Sequence, residues 1–202
     1  MGHRSKKAER CPRCRMHFEV CLCAEMPSLT LATRLCLVMH CRELKKPTAT
    51  GPMALSVLTN SELFVHGDKD HPLDLTDLAA TGRRVLVLFP DALATPLHQL
   101  DRTTDQREIS LVVPDGNWRQ ASRVPRRVPG LQGAELVTLP EGPATTWGVR
   151  RETKPGGLAT FEAISRAMGL LESDTVRQVM QEYFEKMVST TFKMRGGEQP
   201  AR

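Results

Sequence analysis

The sequence predicts an α/β protein with a mainly parallel sheet, and three observations support that class. Short apolar runs alternate along the chain with segments of helical periodicity, as in chains that wind from strand to helix to strand. Several runs are continuously apolar, which is typical of strands covered on both faces. Polar segments with acidic, basic and aromatic residues follow these runs, at the position where such sheets bind ligands.

Length and composition allow one α/β domain with a small appendage. The chain has 202 residues, of which 40% are hydrophobic, enough for a sizeable core. We expect a Cys-rich segment at 1–30 and the α/β domain at 31–195. No apolar run is long enough to span a membrane, and the basic N-terminus lacks the apolar core of a signal peptide, so we expect a cytoplasmic protein.

The net charge of +5 is unevenly distributed. Lys and Arg exceed Asp and Glu by 10 to 4 in residues 1–50 and by 7 to 4 in residues 111–160, whereas residues 51–110 hold 5 against 9. Two basic regions of this kind favour a polyanionic partner such as RNA. An ordinary solvated surface is the alternative.

A C-x2-C-x6-C-x-C cluster opens the chain. Four thiols at this spacing suit a tetrahedral Zn²⁺ site without an open position, and a cytoplasmic setting argues against disulfides. An iron–sulfur cluster and independent thiols are the alternatives. Arg13 and Arg15 interleave with the thiols, so a phosphate contact is also predicted here. The predicted ligands are Cys11, Cys14, Cys21 and Cys23.

Apolar runs that end at Pro, Gly or a polar cluster predict five strands. The run at 84–90 is the clearest, because five apolar residues precede Pro90, and it predicts an interior strand. The run at 111–113 is apolar and rich in Val, with Pro114 and Gly116 marking its end. In chain order the predicted strands are 35–39, 62–66, 84–90, 111–113 and 135–140.

Helices are predicted between these strands. One starts at about Gly51, a weak one at 75–80 stops before Gly82, and Pro125 and Pro129 end a helix that contains Trp118. The segments 91–105 and 141–157 are predicted as loops, the first with room for one helical turn.

Two further helices are predicted to cover the sheet. Thr160 is the predicted N-cap of the first, and Glu162 complements the helix dipole in its first turn. Ser173 starts the second, whose apolar residues recur at i, i+3 and i+4. The segment 196–202 is predicted to be a frayed tail.

The run at 111–113 leads through Pro114 into Asp115, Gly116, Asn117 and Trp118. An acid at the carboxyl end of a buried strand is a candidate catalytic group. Its alternative role is that of a turn-former or helix cap. The other polar clusters at strand ends favour the chemical role.

Further candidates follow the first strand and Trp118. His40 binds substrate or caps its strand, and Thr50 caps the next helix or binds a phosphate. Trp147 stacks on a base or fills the core. The chain lacks the G-x-G-x-x-G and Walker A signatures, so nothing supports a dinucleotide or P-loop site. Four arginines in nine residues predict an RNA backbone contact: Arg119, Arg123, Arg126 and Arg127.

Five groups of residues, each weak alone, occur in the order in which one family carries them. The groups are Cys11, Cys14, Cys21 and Cys23; His40, Glu43, Lys46, Thr50 and Gly51; Leu88, Phe89 and Pro90; Asp115 and Trp118; and Arg150, Gly157, Leu158, Thr160, Glu162 and Ala163. In these positions the chain resembles the DTW-domain family of tRNA-uridine aminocarboxypropyltransferases.

The sequence departs from the family pattern at five positions. Asn117 stands where the family usually has Thr, Ala159 for Ser, Phe161 for Leu, Ala49 for Asn, and Trp147 for a Tyr. Asn keeps a hydrogen-bonding side chain, so we expect activity to be retained.

The resemblance implies a SPOUT-like domain with a knotted C-terminal half. It also implies transfer of the 3-amino-3-carboxypropyl group from S-adenosylmethionine to N3 of a tRNA uridine, with release of methylthioadenosine. Asp115 and Trp118 are the expected catalytic residues. Asp115 acts as the base with Trp118 packed near it, or it binds the donor's amino group or orients the uracil. Arg150 is the expected clamp for the donor carboxylate or for a phosphate.

The remaining implied contacts divide between donor and RNA. The residues implied for the donor are Leu88, Phe89, Pro90, Pro114, Leu139, Arg150, Leu158 and Thr160. Those implied for RNA are His40, Lys46, Thr50, Arg119, Arg123, Arg126 and Arg127. A SPOUT-type RNA methyltransferase and a non-enzymatic, zinc-stapled RNA-binding protein are the alternatives. A monomer is favoured over a dimer.

Overall fold

A computed structural model of the chain describes residues 9–148 and 157–196. Six strands form one sheet in which every pair is parallel, which confirms the predicted α/β class. The strands are β1 (Arg34–His40), β2 (Ser61–His66), β3 (Arg84–Leu88), β4 (Thr95–Pro96), β5 (Ile109–Asp115) and β6 (Glu135–Thr138). Their order across the sheet is β2-β1-β5-β3-β6-β4.

Helices cover both faces of the sheet. They are α1 (Gly51–Val57), α2 (Thr76–Ala80), α3 (Trp118–Ala121), α4 (Val124–Arg127), α5 (Thr160–Leu171) and α6 (Asp174–Met194). Short 3₁₀ turns occur at Phe18–Val20, Cys23–Glu25 and Leu97–Gln99. Within the described ranges, no helix combines the length and apolar character that a membrane span requires.

The central strand β5 shows why its sequence is continuously apolar. Leu111 and Val113 belong to an apolar cluster shared with α1, α5 and α6, whereas Val112 belongs to a second cluster with α2 and α4 on the other face. Alternate side chains of a strand point to opposite faces, so both sets must be apolar in a three-layer protein.

Several predicted boundaries were wrong. Strand β5 continues through Pro114 to Asp115, because Pro114 pairs with Val38 of β1 at a point where the β3 ladder has already ended. Pro125 does not end a helix but lies in the first turn of α4, where proline is well tolerated. Strand β4 was missed, since two residues at a sheet edge carry no periodic signal.

The topology places a crevice beside β5. The connection from β1 leads to β2 on one side of the sheet, and the connection from β5 leads to β6 on the other. Ligand sites of α/β sheets lie at such a reversal, outside the carboxyl ends of the strands. The knotted C-terminal half implied by the resemblance stays a prediction.

Candidate active site

A cavity of about 620 Å³ opens at the carboxyl edge of the sheet. Its walls come from the ends of β3, β5 and β6, the loops that follow them, the residues before α1 and the first turns of α5. This volume is that of a small-molecule ligand site. All the described residues that the sequence assigned to the donor line it: Leu88, Phe89, Pro90, Pro114, Leu139, Leu158 and Thr160. Arg150 lies outside the described residues.

Asp115 lies in the wall of this cavity as the last residue of β5. Its side chain is buried, and Oδ1 accepts a 2.8 Å hydrogen bond from the Thr160 hydroxyl at the start of α5. Gly51 lies against the other oxygen, since a Cβ built on Gly51 would come within 2.6 Å of Oδ2. A helix N-terminus favours negative charge, so the position suits a carboxylate.

The alternative role of Asp115 as a helix cap is wrong, because Asn117 caps α3. The Asn117 side chain accepts from the Gln120 N–H at 2.9 Å, and the Gln120 side chain accepts from the Asn117 N–H at 2.8 Å. This reciprocal pair explains how Asn can stand where the family has Thr. It directs Trp118 toward Phe89, with ring centroids 5.9 Å apart in an edge-to-face arrangement.

Thr50 is in the cavity wall and not on the exposed surface. It holds the N-cap position of α1, but its hydroxyl makes no capping bond and instead accepts from the Phe161 N–H at 3.2 Å. The predicted capping role of its side chain is therefore wrong. Its hydroxyl ties the start of α1 to the start of α5, the two helices that flank Asp115.

The other basic candidates of this loop are more open. Lys46 is exposed, and its Nζ pairs with the buried Glu43 at 2.5 Å. His40 is partly buried, with its ring edge-on to His66 at 5.0 Å and its Nδ1 accepting from the Arg42 N–H. Burial lowers the pKa of both histidines, that of His66 to about 4.

Glu162 organises the mouth of the cavity, a role that its predicted place in the helix dipole did not suggest. Its buried carboxylate accepts from the Thr145 hydroxyl, from the Thr146 N–H at 2.7 Å and from the Thr146 hydroxyl at 3.0 Å. It also accepts from the Ala159 N–H at 3.0 Å. The segment after β6 is thereby fixed to α5.

Two further residues of the wall are Arg166, which the sequence analysis did not single out, and Trp147, for which it left two roles open. Among the described lining residues, Arg166 is the one with a cationic side chain, and its Nη2 donates to the Pro143 carbonyl at 2.7 Å. Sequence reasoning missed Arg166, although its position three residues after Ala163, another lining residue, places it on the same face of α5. Trp147 is buried against Phe184, which favours its core role, and it also lines the cavity.

The four predicted RNA-binding arginines are all exposed on or beside α3 and α4, directly after the strand that carries Asp115. Arg126 forms an ion pair with Asp91 at 3.3 Å. A surface pair of this kind is weak, so the guanidinium remains accessible to a phosphate.

The four N-terminal cysteines form a candidate metal centre. Their sulfur atoms all lie within 4.8 Å of one another, with Sγ–Sγ distances of 3.5 Å and 3.6 Å in two of the pairs. Tetrahedral coordination with 2.3 Å Zn–S bonds places sulfurs about 3.8 Å apart, so the donor set fits zinc. The pairs are Cys11 with Cys23 and Cys14 with Cys21.

The thiols differ in acidity. Backbone N–H groups of Cys14 and Arg13 lower the pKa of Cys11 to about 6, whereas burial and neighbouring thiols raise the pKa of Cys23 to about 12. A full set of four thiolates therefore requires a cation among them. Cys36, outside the cluster, is fully buried and its pKa is raised to about 11 by burial, as expected of an inert core thiol.

Several known proteins are similar to most of the chain. The chain is similar to proteins named tRNA-uridine aminocarboxypropyltransferase 2 from Drosophila melanogaster, with 24% identity over 174 residues, and from Macaca fascicularis, with 24% over 179. These matches cover 83% and 86% of this chain, and 68% and 60% of the relatives. The Mus musculus protein of that name is 25% identical over 181 residues, which are 87% of this chain and 60% of the relative.

No solved structure matches the chain significantly. The model of the DTW domain matches residues 8–192, from the thiol cluster through most of α6. The match includes the strand end that carries Asp115 and Trp118. Because it spans nearly the whole chain, the protein belongs to the DTW domain family.

Proposed function

We propose that this protein modifies tRNA by transferring the 3-amino-3-carboxypropyl group of S-adenosylmethionine to N3 of a uridine, with release of methylthioadenosine. The observation that carries the proposal is a buried carboxylate, Asp115, in a cavity of about 620 Å³ at the carboxyl edge of a parallel sheet. The relatives' name supports the reaction class.

The cavity offers separate surfaces for the parts of the donor. Apolar walls from β3, β6 and the start of α5 suit the adenosine, with Leu88, Leu139 and Leu158 as the main contacts. Arg166 supplies a cation for the donor carboxylate, because a guanidinium binds carboxylates through two parallel hydrogen bonds. Arg150, which the resemblance assigns the same role, remains a second candidate.

Asp115 acts as the general base in this proposal. The sulfonium activates all three carbons attached to it, so the choice of the aminocarboxypropyl carbon depends on positioning. Asp115 accepts the N3 proton, N3 bonds to the methylene carbon, and the carbon–sulfur bond breaks with its electron pair remaining on sulfur. Thr160 holds Asp115 in place through its 2.8 Å hydrogen bond.

The RNA backbone lies across the exposed arginines after β5 in this proposal. Arg119, Arg123 and Arg127 offer phosphate contacts close to the cavity mouth, and Arg126 joins them when its pair with Asp91 opens. Lys46 and His40 extend the contact to the neighbouring loop. We further propose that zinc at the four cysteines has a structural role and that the enzyme is a cytoplasmic monomer.

Nucleoside analysis tests the proposed function. Purified protein is incubated with unmodified tRNA transcripts and S-adenosylmethionine, and the digested RNA is examined by mass spectrometry. We expect uridine that carries the aminocarboxypropyl group at N3 and an equal amount of methylthioadenosine. A methylated nucleoside with S-adenosylhomocysteine would instead indicate a methyltransferase, and bound but unmodified tRNA would indicate a binding protein.

The variant Asp115→Asn tests the assigned base. Asn keeps the size of Asp and can still accept from Thr160, but it cannot take up the N3 proton, so we expect a loss of turnover of about 100-fold or more. tRNA binding measured by filter retention should stay within about twofold of wild type, since the phosphate contacts are elsewhere. Near-wild-type turnover would exclude Asp115 as the base.

A further inference from the structure

Arg15 is partly buried and bonded within the protein, although the sequence suggested a phosphate contact for it. Its guanidinium enters the β1–α1 loop, defined here as residues 41–50, and donates to three backbone carbonyls. Nη1 contacts the Ala49 oxygen at 3.3 Å, and Nη2 contacts the oxygens of Leu44 at 3.2 Å and Lys46 at 3.1 Å. One side chain thus joins the thiol cluster to three points of a loop about 30 residues later in the chain.

The backbone of Arg15 is unusual as well. Its φ is +64°, and it is the one non-glycine residue with a positive φ in the described ranges, 9–148 and 157–196. That conformation costs an L-residue roughly 1 kcal/mol, and glycine adopts it without strain. The turn after Cys14 would therefore accept glycine more easily, and the three hydrogen bonds give arginine a reason to be there.

The β1–α1 loop forms part of the cavity wall. Its backbone makes successive turns, with the N–H groups of Glu43, Lys46 and Ala49 donating three residues back. Its last residues, Thr48 and Thr50, line the cavity. Gly51 follows at once and touches the Asp115 carboxylate. Arg15 thus holds the outer side of the loop, and the last residues of the loop form the cavity wall near Asp115.

The rest of the thiol segment is attached to the domain through other elements. The Ser56 hydroxyl of α1 donates to the Arg13 carbonyl at 3.1 Å, and Lys186 of α6 pairs with Glu25 at 2.8 Å. Met16 is buried between the segment and α6, where Thr191 contacts its sulfur. Removal of the Arg15 guanidinium should therefore leave the segment docked and affect the loop selectively.

We propose that Arg15 is a positioning residue that couples the metal-bound thiol cluster to the β1–α1 loop, so that the cavity wall beside Asp115 is ordered only while the cluster is intact. The coupling itself concerns loop order. Its effect on turnover rests on the proposed function.

The test uses the variant Arg15→Gly, because glycine adopts the positive φ without strain and removes the side chain that carries the guanidinium. Arg13→Ala is the matched control for zinc content and loop exchange, since Arg13 is exposed and lies two residues before Arg15, on the other side of Cys14. For each protein, zinc content, hydrogen exchange of the loop amides of Glu43, Lys46 and Ala49, and turnover are measured. Arg15→Lys is a second variant that keeps the charge but lacks the planar fork.

We expect Arg15→Gly to retain zinc, to exchange the three loop amides at least 10-fold faster, and to lose at least 10-fold in kcat. KM for the donor should change less than threefold, because the apolar walls from β3 and β6 are unaffected. Methylguanidinium should restore part of the protection and of kcat. Zinc chelation should accelerate hydrogen exchange of the same amides in the wild type. It should accelerate that exchange little further in Arg15→Gly. Arg13→Ala should retain zinc and exchange the three loop amides at the wild-type rate.

Unchanged loop exchange in zinc-containing Arg15→Gly would overturn the inference, whatever its turnover. If Arg15→Gly loses zinc or fails to fold, Arg15→Lys is the deciding variant. Wild-type loop exchange and turnover in Arg15→Lys would also overturn the inference. Faster loop exchange in a protein whose wild type modifies no tRNA would leave the coupling intact and contradict only the proposed function.

Discussion

At the residue scale, the Thr160 hydroxyl bonds to a residue far away in the sequence and does not cap its own helix. A threonine at the start of a helical segment predicts an N-cap, yet Ala159 holds that position and Thr160 is the first helical residue. The Ala159 N–H is satisfied by Glu162, and the Thr160 hydroxyl donates to Asp115, which is 45 residues earlier in the chain. The predicted cap was wrong because the hydroxyl bonds across the fold.

Thr160→Val should lower kcat by roughly 10- to 100-fold, because it removes the donor that orients the Asp115 carboxylate. Thr160→Ser keeps the hydroxyl and should stay within about threefold of wild type. Steady-state kinetics with tRNA and donor would measure both. Equal turnover in the two variants would contradict the positioning role of the hydroxyl.

His66 should make folding sensitive to mild acid. Burial lowers its pKa from 6.5 to about 4, so the unfolded chain binds a proton in this window while the native state does not. The free energy of unfolding should therefore fall as the pH drops from about 6.5 to 4, by about 1–2 kcal/mol after solvent screening of the partly exposed ring.

Urea unfolding between pH 7 and pH 4.5 would measure this effect. His66→Phe keeps a ring of similar shape against His40 and should show a flatter profile than the wild type. His71→Gln removes an exposed histidine and should leave the profile unchanged. If His66→Phe loses as much stability in acid as the wild type, the assignment to His66 is wrong.

At the scale of elements, the start of α1 leaves no room for a side chain at Gly51. A Cβ on Gly51 would lie 2.6 Å from Asp115 Oδ2 and 3.1 Å from two methyl carbons of Leu37. The buried carboxylate is held by Thr160 and cannot move aside without losing that bond. Glycine is therefore required here by the close approach of a helix to the site.

Gly51→Ala should lower turnover at least 10-fold and cost about 1–2 kcal/mol of stability, as overpacking commonly does. Gly169→Ala is a matched control, because its Cβ would crowd Arg177 at 2.7 Å on a part of α5 that does not line the cavity. That variant should lose comparable stability but keep its turnover. Normal turnover in Gly51→Ala would show that the site tolerates the added carbon.

The elements that the sequence predicted well are those with a continuous apolar run or a strong helical period. Strands β1, β3 and β5 are apolar on both faces, and the long helix α6 starts at its predicted cap, Ser173. The strand order, the two-residue β4 and the split between α3 and α4 have no local signature. They depend on which surfaces meet after the chain has collapsed.

At the scale of the whole molecule, the site combines segments that the sequence separates widely. The carboxyl end of β5, the first residues of α1 and the start of α5 meet at Asp115. Motif recognition named most of the lining residues, because many of them lie at the ends of strands or at the starts of helices. The contacts of Arg15 with the β1–α1 loop and the four contacts of Glu162 could not be predicted, because they arise from tertiary packing.

Metal removal should destabilise the entire protein. Residues of the thiol segment, including Cys14 and Met16, are buried in the main core. Unfolding of that segment would therefore expose apolar surface of the domain. We expect chelation, or the ligand variant Cys21→Ser, to lower the free energy of unfolding by about 2–4 kcal/mol. Cys41→Ser removes a thiol outside the cluster and should retain zinc and stability.

Thermal unfolding with metal analysis would check this expectation. A chelated protein with an unchanged melting temperature would show that the cluster does not hold a structural metal. A protein that contains iron and loses absorbance on chelation would support the iron–sulfur alternative.

The most direct measurement is a label-transfer assay with the wild-type protein. S-adenosylmethionine is labelled at the carboxyl carbon in one reaction and at the methyl carbon in another, each with unmodified tRNA transcripts. We predict that the carboxyl label enters the tRNA and the methyl label does not. Entry of the methyl label alone would contradict aminocarboxypropyl transfer at the Asp115 cavity, and entry of neither label into bound tRNA would contradict catalysis altogether.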